Sequence, residues 1–146
     1  MPRLSRSATV AWEGSLSRGA GTARAATAAF ELPVDLPGRI GDTGKTSPEE
    51  LLAAAHASCF AMSLAGEIAT AGGTVEALEI GCTITIDEVP GKGHLVVLSE
   101  LEVAARADDL GEQEFQGVVR KADQNCTFSA LLRESAEISV SATLET

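Results

Sequence analysis

Basic side chains are scarce in this chain of 146 residues: 11 lysines and arginines face 21 aspartates and glutamates, a net charge of −10 at pH 7. So acidic a surface repels nucleic acid phosphates and anionic lipid, and neither is an expected partner. Cysteine is sparse too. Cys59, Cys82 and Cys126 form an odd set at long spacings, unlike a secreted disulfide framework or a paired C-x-x-C zinc site. In a reducing compartment such thiols are either inert core residues or reactive ones. The chain shows no charged leader followed by an apolar segment and cleavage site, and no spanning helix, so a soluble, cytoplasmic protein is expected. It has no internal repeat, low-complexity tract or linker, and its length suits one domain, residues 1–146, with a sizeable core.

What the chain does have is one stretch around which the rest is arranged, SPEELLAAAHASCFAMSLAGEIATAGG from Ser47 to Gly73. Ser47 can cap the free amides, Pro48 suits the first helical position and Glu50 stands where a capping box needs it. Gly72 and Gly73 end the helix. Between them Leu51, Leu52, Phe60, Met62, Leu64, Ile68 and a series of alanines leave little polar face, which marks a helix surrounded by protein. His56, Ser58, Cys59 and Ser63 interrupt the apolar run and argue against a membrane span.

Strand-like pieces around Ala8–Trp12 and Thr22–Phe30 flank a turn-rich segment and predict a hairpin. Pro33, Pro37, Gly38, Gly41 and Gly44 predict an irregular segment over residues 31–45, with Arg39 inside it. After Gly73 the period becomes two: Leu78, Ile80, Cys82, Ile84 and Ile86 alternate with polar or small residues. A turn at residues 90–93 and a strand over residues 94–105 complete a second hairpin. Phe115, Val118, Val119 and Ala122 mark a shorter helix ending near Asp123 to Asn125, residues 127–133 suit another helical turn, and Ile138, Val140, Ala142 and Leu144 alternate in a last strand. The order predicts an α+β domain with antiparallel sheet packed on helices. A sheet covers only one side of a helix that is apolar nearly all round, so a two-fold homodimer is expected to cover the other.

Cys59 admits two readings. A cysteine in an apolar helix packs as a small hydrophobe; alternatively it reacts, which at a buried position needs a nearby cation or donor for the thiolate. The dipole of its own helix is about three turns away and cannot serve. Arg39 is the leading cation, against the alternative of an exposed loop arginine, and Glu49 can hold it or merely favour the helix start. Ten residues of helix separate Glu49 from Cys59, a rise of roughly 15 Å, so the partner subunit is expected to supply part of each site. Cys126, at a helix-to-loop junction, is either a buried junction residue or a second thiol facing the next turn's free amides. Cys82 alternates with isoleucines and is expected to be inert. His56 reads as a satisfied helix histidine, and with Cys59 it offers too few ligands for zinc.

The run Thr46-Ser47-Pro48-Glu49-Glu50-Leu51-Leu52-Ala53-Ala54-Ala55-His56-Ala57-Ser58-Cys59-Phe60 resembles the signature of the OsmC/Ohr family of thiol peroxidases. Its AAAHA-x-CF form is more similar to the osmotically inducible OsmC branch than to the organic hydroperoxide resistance branch. Ala11-Trp12-Glu13-Gly14, Arg18-Gly19-x-Gly21-Thr22 and Asn125-Cys126 extend the resemblance over the whole chain. It implies antiparallel sheets wrapped around central helices in an intertwined homodimer, with Cys59 as peroxidatic thiol, Cys126 as resolving thiol, and Arg39 with Glu49 activating Cys59 and positioning the peroxide. The family commonly has Pro-x-Ser after the second cysteine; here Thr127-Phe128-Ser129 keeps only the serine. The implied chemistry forms a Cys59 sulfenic acid, then a Cys59–Cys126 disulfide reduced by an external dithiol, lipoyl-type among the candidates. It needs no metal or flavin, and apolar neighbours such as Phe60 and Met62 would suit organic hydroperoxides. The alternative is a non-enzymatic dimeric module that holds a small hydrophobic ligand at its interface.

Overall fold

Two compact units, one ending at Leu51 and one beginning at Leu52, make up the computed structural model, which describes residues 2–145. In the first, strands β1 (Ala8–Glu13), β2 (Ala20–Ala25) and β3 (Glu31–Val34) form an antiparallel sheet in that order. The segment expected to be irregular thus holds a strand and also a short helix, α1 (Leu36–Ile40). Asp35 makes that helix possible: its carboxylate accepts the Gly38 amide at 2.7 Å and the Lys45 ammonium at 2.6 Å, while Pro37 in the first turn fixes the backbone.

Helix α2 (Pro48–Thr70) starts in the first unit and continues into the second. Ser47 Oγ accepts the Glu50 amide at 3.1 Å, half of the expected capping box; the Glu50 carboxylate turns instead to the Thr46 hydroxyl at 2.9 Å. At the other end Gly72 takes a φ of +90°. Its amide bonds to the Ala69 carbonyl and that of Gly73 to Ile68, the paired bonds of a Schellman stop. By length and composition the 23-residue helix could pass for a membrane span, so length does not exclude one. Along the helix His56, Phe60, Leu64 and Ile68, four residues apart, form one buried ridge, its apolar members in the core of the second unit.

That core lies between α2, the sheet of β4 (Thr74–Val89), β5 (Gly93–Asp108) and β6 (Glu137–Glu145), and helix α3 (Glu112–Asn125), which is followed by α4 (Thr127–Arg133). Strands β4 and β5 pair antiparallel along nearly their whole length. Strand β6 departs from the expectation of antiparallel pairing, because it lies parallel to β5. The cause is the connection: a tight turn reverses the chain, whereas a crossover through α3 and α4 carries it back to run in the same direction. Phe60, Leu101, Ala105, Phe115 and Ala122 are fully or almost fully buried at the centre, the larger side chains each contributing on the order of 2–3 kcal/mol.

Candidate active site

The four residues singled out from sequence fall into two pairs, one in each unit. In the first unit α1 presents Arg39 and the first turn of α2 presents Glu49. Arg39 Nε donates to Glu49 Oε1 at 2.8 Å and its Nη2 donates to Oε2 at 3.1 Å. This two-pronged match of planar groups fixes the direction of the guanidinium as well as its place. The carboxylate raises the Arg39 pKa further, by hydrogen bond first and charge second. The arginine side chain remains 46 % exposed and the glutamate only 17 %, so the cation has a free face and a held one. Beside it is a cleft of about 150 Å³ lined by Trp12, Leu16, Val34, Leu36 and Pro48 together with the charged Asp35 and Arg39.

In the second unit Cys59 on α2 and Cys126, the residue joining α3 to α4, place their sulfurs 3.4 Å apart. Neither is in a disulfide. A disulfide spans about 2.05 Å, so closure needs the sulfurs to approach by about 1.4 Å. Cys126 is 1 % exposed, whereas Cys59 is half-buried. Burial pushes the Cys59 thiol above its ordinary range; the Phe128 amide opposes this, the Cys126 thiol reinforces it, and the Thr127 amide opposes it. Those amides belong to the first turn of α4, where helix geometry leaves them without intrahelical acceptors. The sequence reading gave such amides to Cys126; the fold turns them on Cys59, because Cys126 is itself the cap residue.

His56, one turn before Cys59, is fully buried and satisfied on both ring nitrogens: Nδ1 lies 2.7 Å from Ser99 Oγ and Nε2 2.8 Å from Ser129 Oγ. With both nitrogens engaged, it is not free to join Cys59 in binding zinc. Burial keeps the imidazole below its usual pKa, so the ring is neutral at pH 7, donating at one nitrogen and accepting at the other. Cys82 joins this group, its sulfur 3.4 Å from Ser99 Oγ, and burial pushes its thiol up as well. Sequence reasoning missed Ser99 altogether, and it had Ser129 only as the serine kept from the family pattern, not as a partner of His56. The signal for that pairing was present, since Ser129 follows Cys126 at the spacing by which His56 precedes Cys59.

Phe60 and Met62, the apolar neighbours of Cys59 named from the resemblance, go to different faces of α2. Phe60 is fully buried in the core, and Met62 stands 75 % exposed on the opposite side of α2. The helical period, which sends neighbouring positions to different faces, separates them.

Known proteins resemble this chain along most of its length. A family model described as OsmC-like protein matches residues 41–141. Peroxiredoxin OsmC of Escherichia coli K12 is 30 % identical over 130 residues, covering 88 % of this chain and 89 % of that protein. Organic hydroperoxide resistance protein-like 2 of Staphylococcus saprophyticus is 29 % identical over 114 residues, 76 % of this chain and 78 % of its own. Among solved structures, an organic hydroperoxide resistance protein from Elizabethkingia anophelis superposes with a TM-score of 0.76 at 22 % identity, covering 99 % of this chain and 100 % of the other. At that identity the likeness establishes the fold.

Proposed function

We propose that this chain, which belongs to the OsmC family, is a cysteine-based peroxidase that reduces organic hydroperoxides, and hydrogen peroxide as well. The observation that carries the reading is the pair of free sulfurs, Cys59 and Cys126, at 3.4 Å. Inert core cysteines have no need to meet, whereas a thiol that forms a sulfenic acid needs a second one within reach.

The Cys59 thiolate attacks the terminal oxygen of the hydroperoxide. The O–O bond breaks, an S–O bond forms, and the departing alkoxide takes a proton and leaves as the alcohol. The Cys126 thiol then attacks the oxidised sulfur; the S–S bond forms and hydroxide leaves with the thiol proton as water. An external dithiol, of which a lipoyl group is one candidate, reduces the disulfide and completes the cycle. Arg39 stabilises the thiolate and the charge that develops on the peroxide, and Glu49 aims the guanidinium. The cleft beside Arg39 receives the alkyl group. Its walls are mostly apolar, which favours alkyl hydroperoxides over hydrogen peroxide.

The working form in this proposal is a homodimer in which the partner contributes the arginine–glutamate pair to each thiol site. Two features support it. Met62 stands on an uncovered face of α2, and Ile84, Ile86, Leu95 and Val97 in the outer half of the β4–β5 hairpin lie outside the core of their own unit. Such apolar surface is what a second copy would bury. Free thiols suit the reducing cytoplasm.

Thiol titration before and after one equivalent of tert-butyl hydroperoxide tests the peroxidase reading. Loss of two titratable thiols per chain, with a Cys59–Cys126 disulfide found by peptide mapping, is expected. Survival of all three thiols would leave a dimeric scaffold or ligand-binding module in its place.

A further inference from the structure

Two contacts join α2 to α4, and they follow one another like rungs. His56 and Cys59 are three residues apart on α2; Cys126 and Ser129 are three apart across the start of α4. On α2 that spacing puts both side chains on one helix face, while Cys126 is the extended cap residue from which Ser129 follows. One rung is the sulfur pair at 3.4 Å, and the other is His56 Nε2 to Ser129 Oγ at 2.8 Å. The ring is anchored behind by Ser99 of β5 at 2.7 Å. His56, Ser99 and Ser129 have no solvent exposure.

We propose that His56 and Ser129 are positioning residues for the second chemical step, holding α4 in the register that keeps Cys126 within bonding range of the oxidised Cys59. The thiol–thiol contact is too weak to set that register by itself. Phe128 packs α4 against the apolar core and Leu132 is buried, but apolar packing tolerates sliding; a buried hydrogen bond to a ring fixed from behind does not. In the step concerned, the Cys126 S–H and the Cys59 S–OH become one S–S bond and one water. A shift of α4 by a single residue, about 1.5 Å, is as large as the whole approach of about 1.4 Å that the sulfurs must make.

This inference rests on the peroxidase reading, and one experiment separates the two. Reduced wild-type, Ser129→Ala and Ser129→Thr proteins are mixed with one equivalent of tert-butyl hydroperoxide. Peroxide loss reports the first step; dimedone capture of Cys59 sulfenic acid and loss of the Cys126 thiol report the second. Ser129→Ala is expected to keep the first rate constant within about twofold and to slow disulfide closure at least tenfold, with dimedone adduct accumulating. Ser129→Thr, which keeps the hydroxyl, restores closure. Closure at the wild-type rate in Ser129→Ala overturns the proposal, as does an equal fall in both steps. If Ser129→Ala does not fold, Ser99→Ala frees the back of the ring and is judged by the same split. A wild-type protein that forms no sulfenic acid or disulfide ends the peroxidase reading, and the positioning role with it.

Discussion

Cys126 Sγ lies 3.4 Å from Cys59 Sγ, but only Cys59 has appreciable access to solvent, Cys126 being 1 % exposed. In the proposed cycle this asymmetry sets the order of events, a peroxide arriving from outside meeting Cys59 first. Cys126→Ser is therefore expected to form one equivalent of dimedone-reactive sulfenic acid on Cys59 and then to stop, and excess peroxide should drive it on to sulfinic acid. Mass spectrometry of the intact protein checks this. Multiple turnovers by the variant would show that Cys126 is not the resolving thiol.

Arg39 and Glu49 are joined by two parallel hydrogen bonds, a geometry lysine cannot copy. Arg39→Lys and Arg39→Ala should both lower the second-order rate constant for Cys59 oxidation, the alanine variant by about 10²-fold. Glu49→Gln keeps the shape but weakens the hold, and a smaller loss of about tenfold is expected. Stopped-flow oxidation measures both. A lysine variant as fast as wild type would remove the need for an aimed guanidinium.

Thr127 opens α4 with an amide that acts on Cys59. Proline is tolerated at a first helical position, and Cys126 before it, with ψ of 119°, has the extended backbone that precedes proline comfortably. Thr127→Pro should therefore fold normally, yet raise the Cys59 thiol pKa because one of two opposing donors is gone. The pH dependence of Cys59 alkylation by iodoacetamide should shift to higher pH. An unshifted profile would show that the Phe128 amide suffices.

His56 makes stability depend on pH. Burial lowers its folded pKa; Asp123 acts weakly the other way and Arg133 reinforces the lowering. Below about pH 6.5 the unfolded chain takes up a proton that the folded chain refuses, so this contribution to stability is fully present above that value and is lost as pH falls toward the folded pKa. Urea denaturation of wild type between pH 7.5 and 5 should show stability falling by at most about 1.4 kcal/mol per pH unit from this group. His56→Gln, though less stable at neutral pH, should lose that share of the slope. An identical slope in the variant would assign the dependence to other groups.

Much of this was legible in the chain. The ends of α2 were written in Ser47 and Gly72, whose side chain and backbone act locally, and the alternation in β4 showed its buried face. Other features depend on what is distant in sequence. The direction of β6 is set by the crossover before it and not by its own alternation, and α1 rests on the single Asp35 cap within a Pro- and Gly-rich segment. The partners of His56 lie 43 and 73 residues away, beyond the reach of any local pattern. Arg39 and Glu49 were paired in advance because opposite charges suggested it, and the fold supplied the two-pronged geometry. Resemblance to a family pointed to Cys59 and Cys126 as one redox pair; the spacing of two thiols 67 residues apart did not.

The most direct measurement of the central claim is steady-state consumption of tert-butyl hydroperoxide with dihydrolipoamide as the dithiol, comparing wild type with Cys59→Ser. Catalytic turnover by wild type, saturating in the dithiol, and none above background in the variant is the expected result. Equal turnover in the two proteins, or none in either with any dithiol tried, would contradict it.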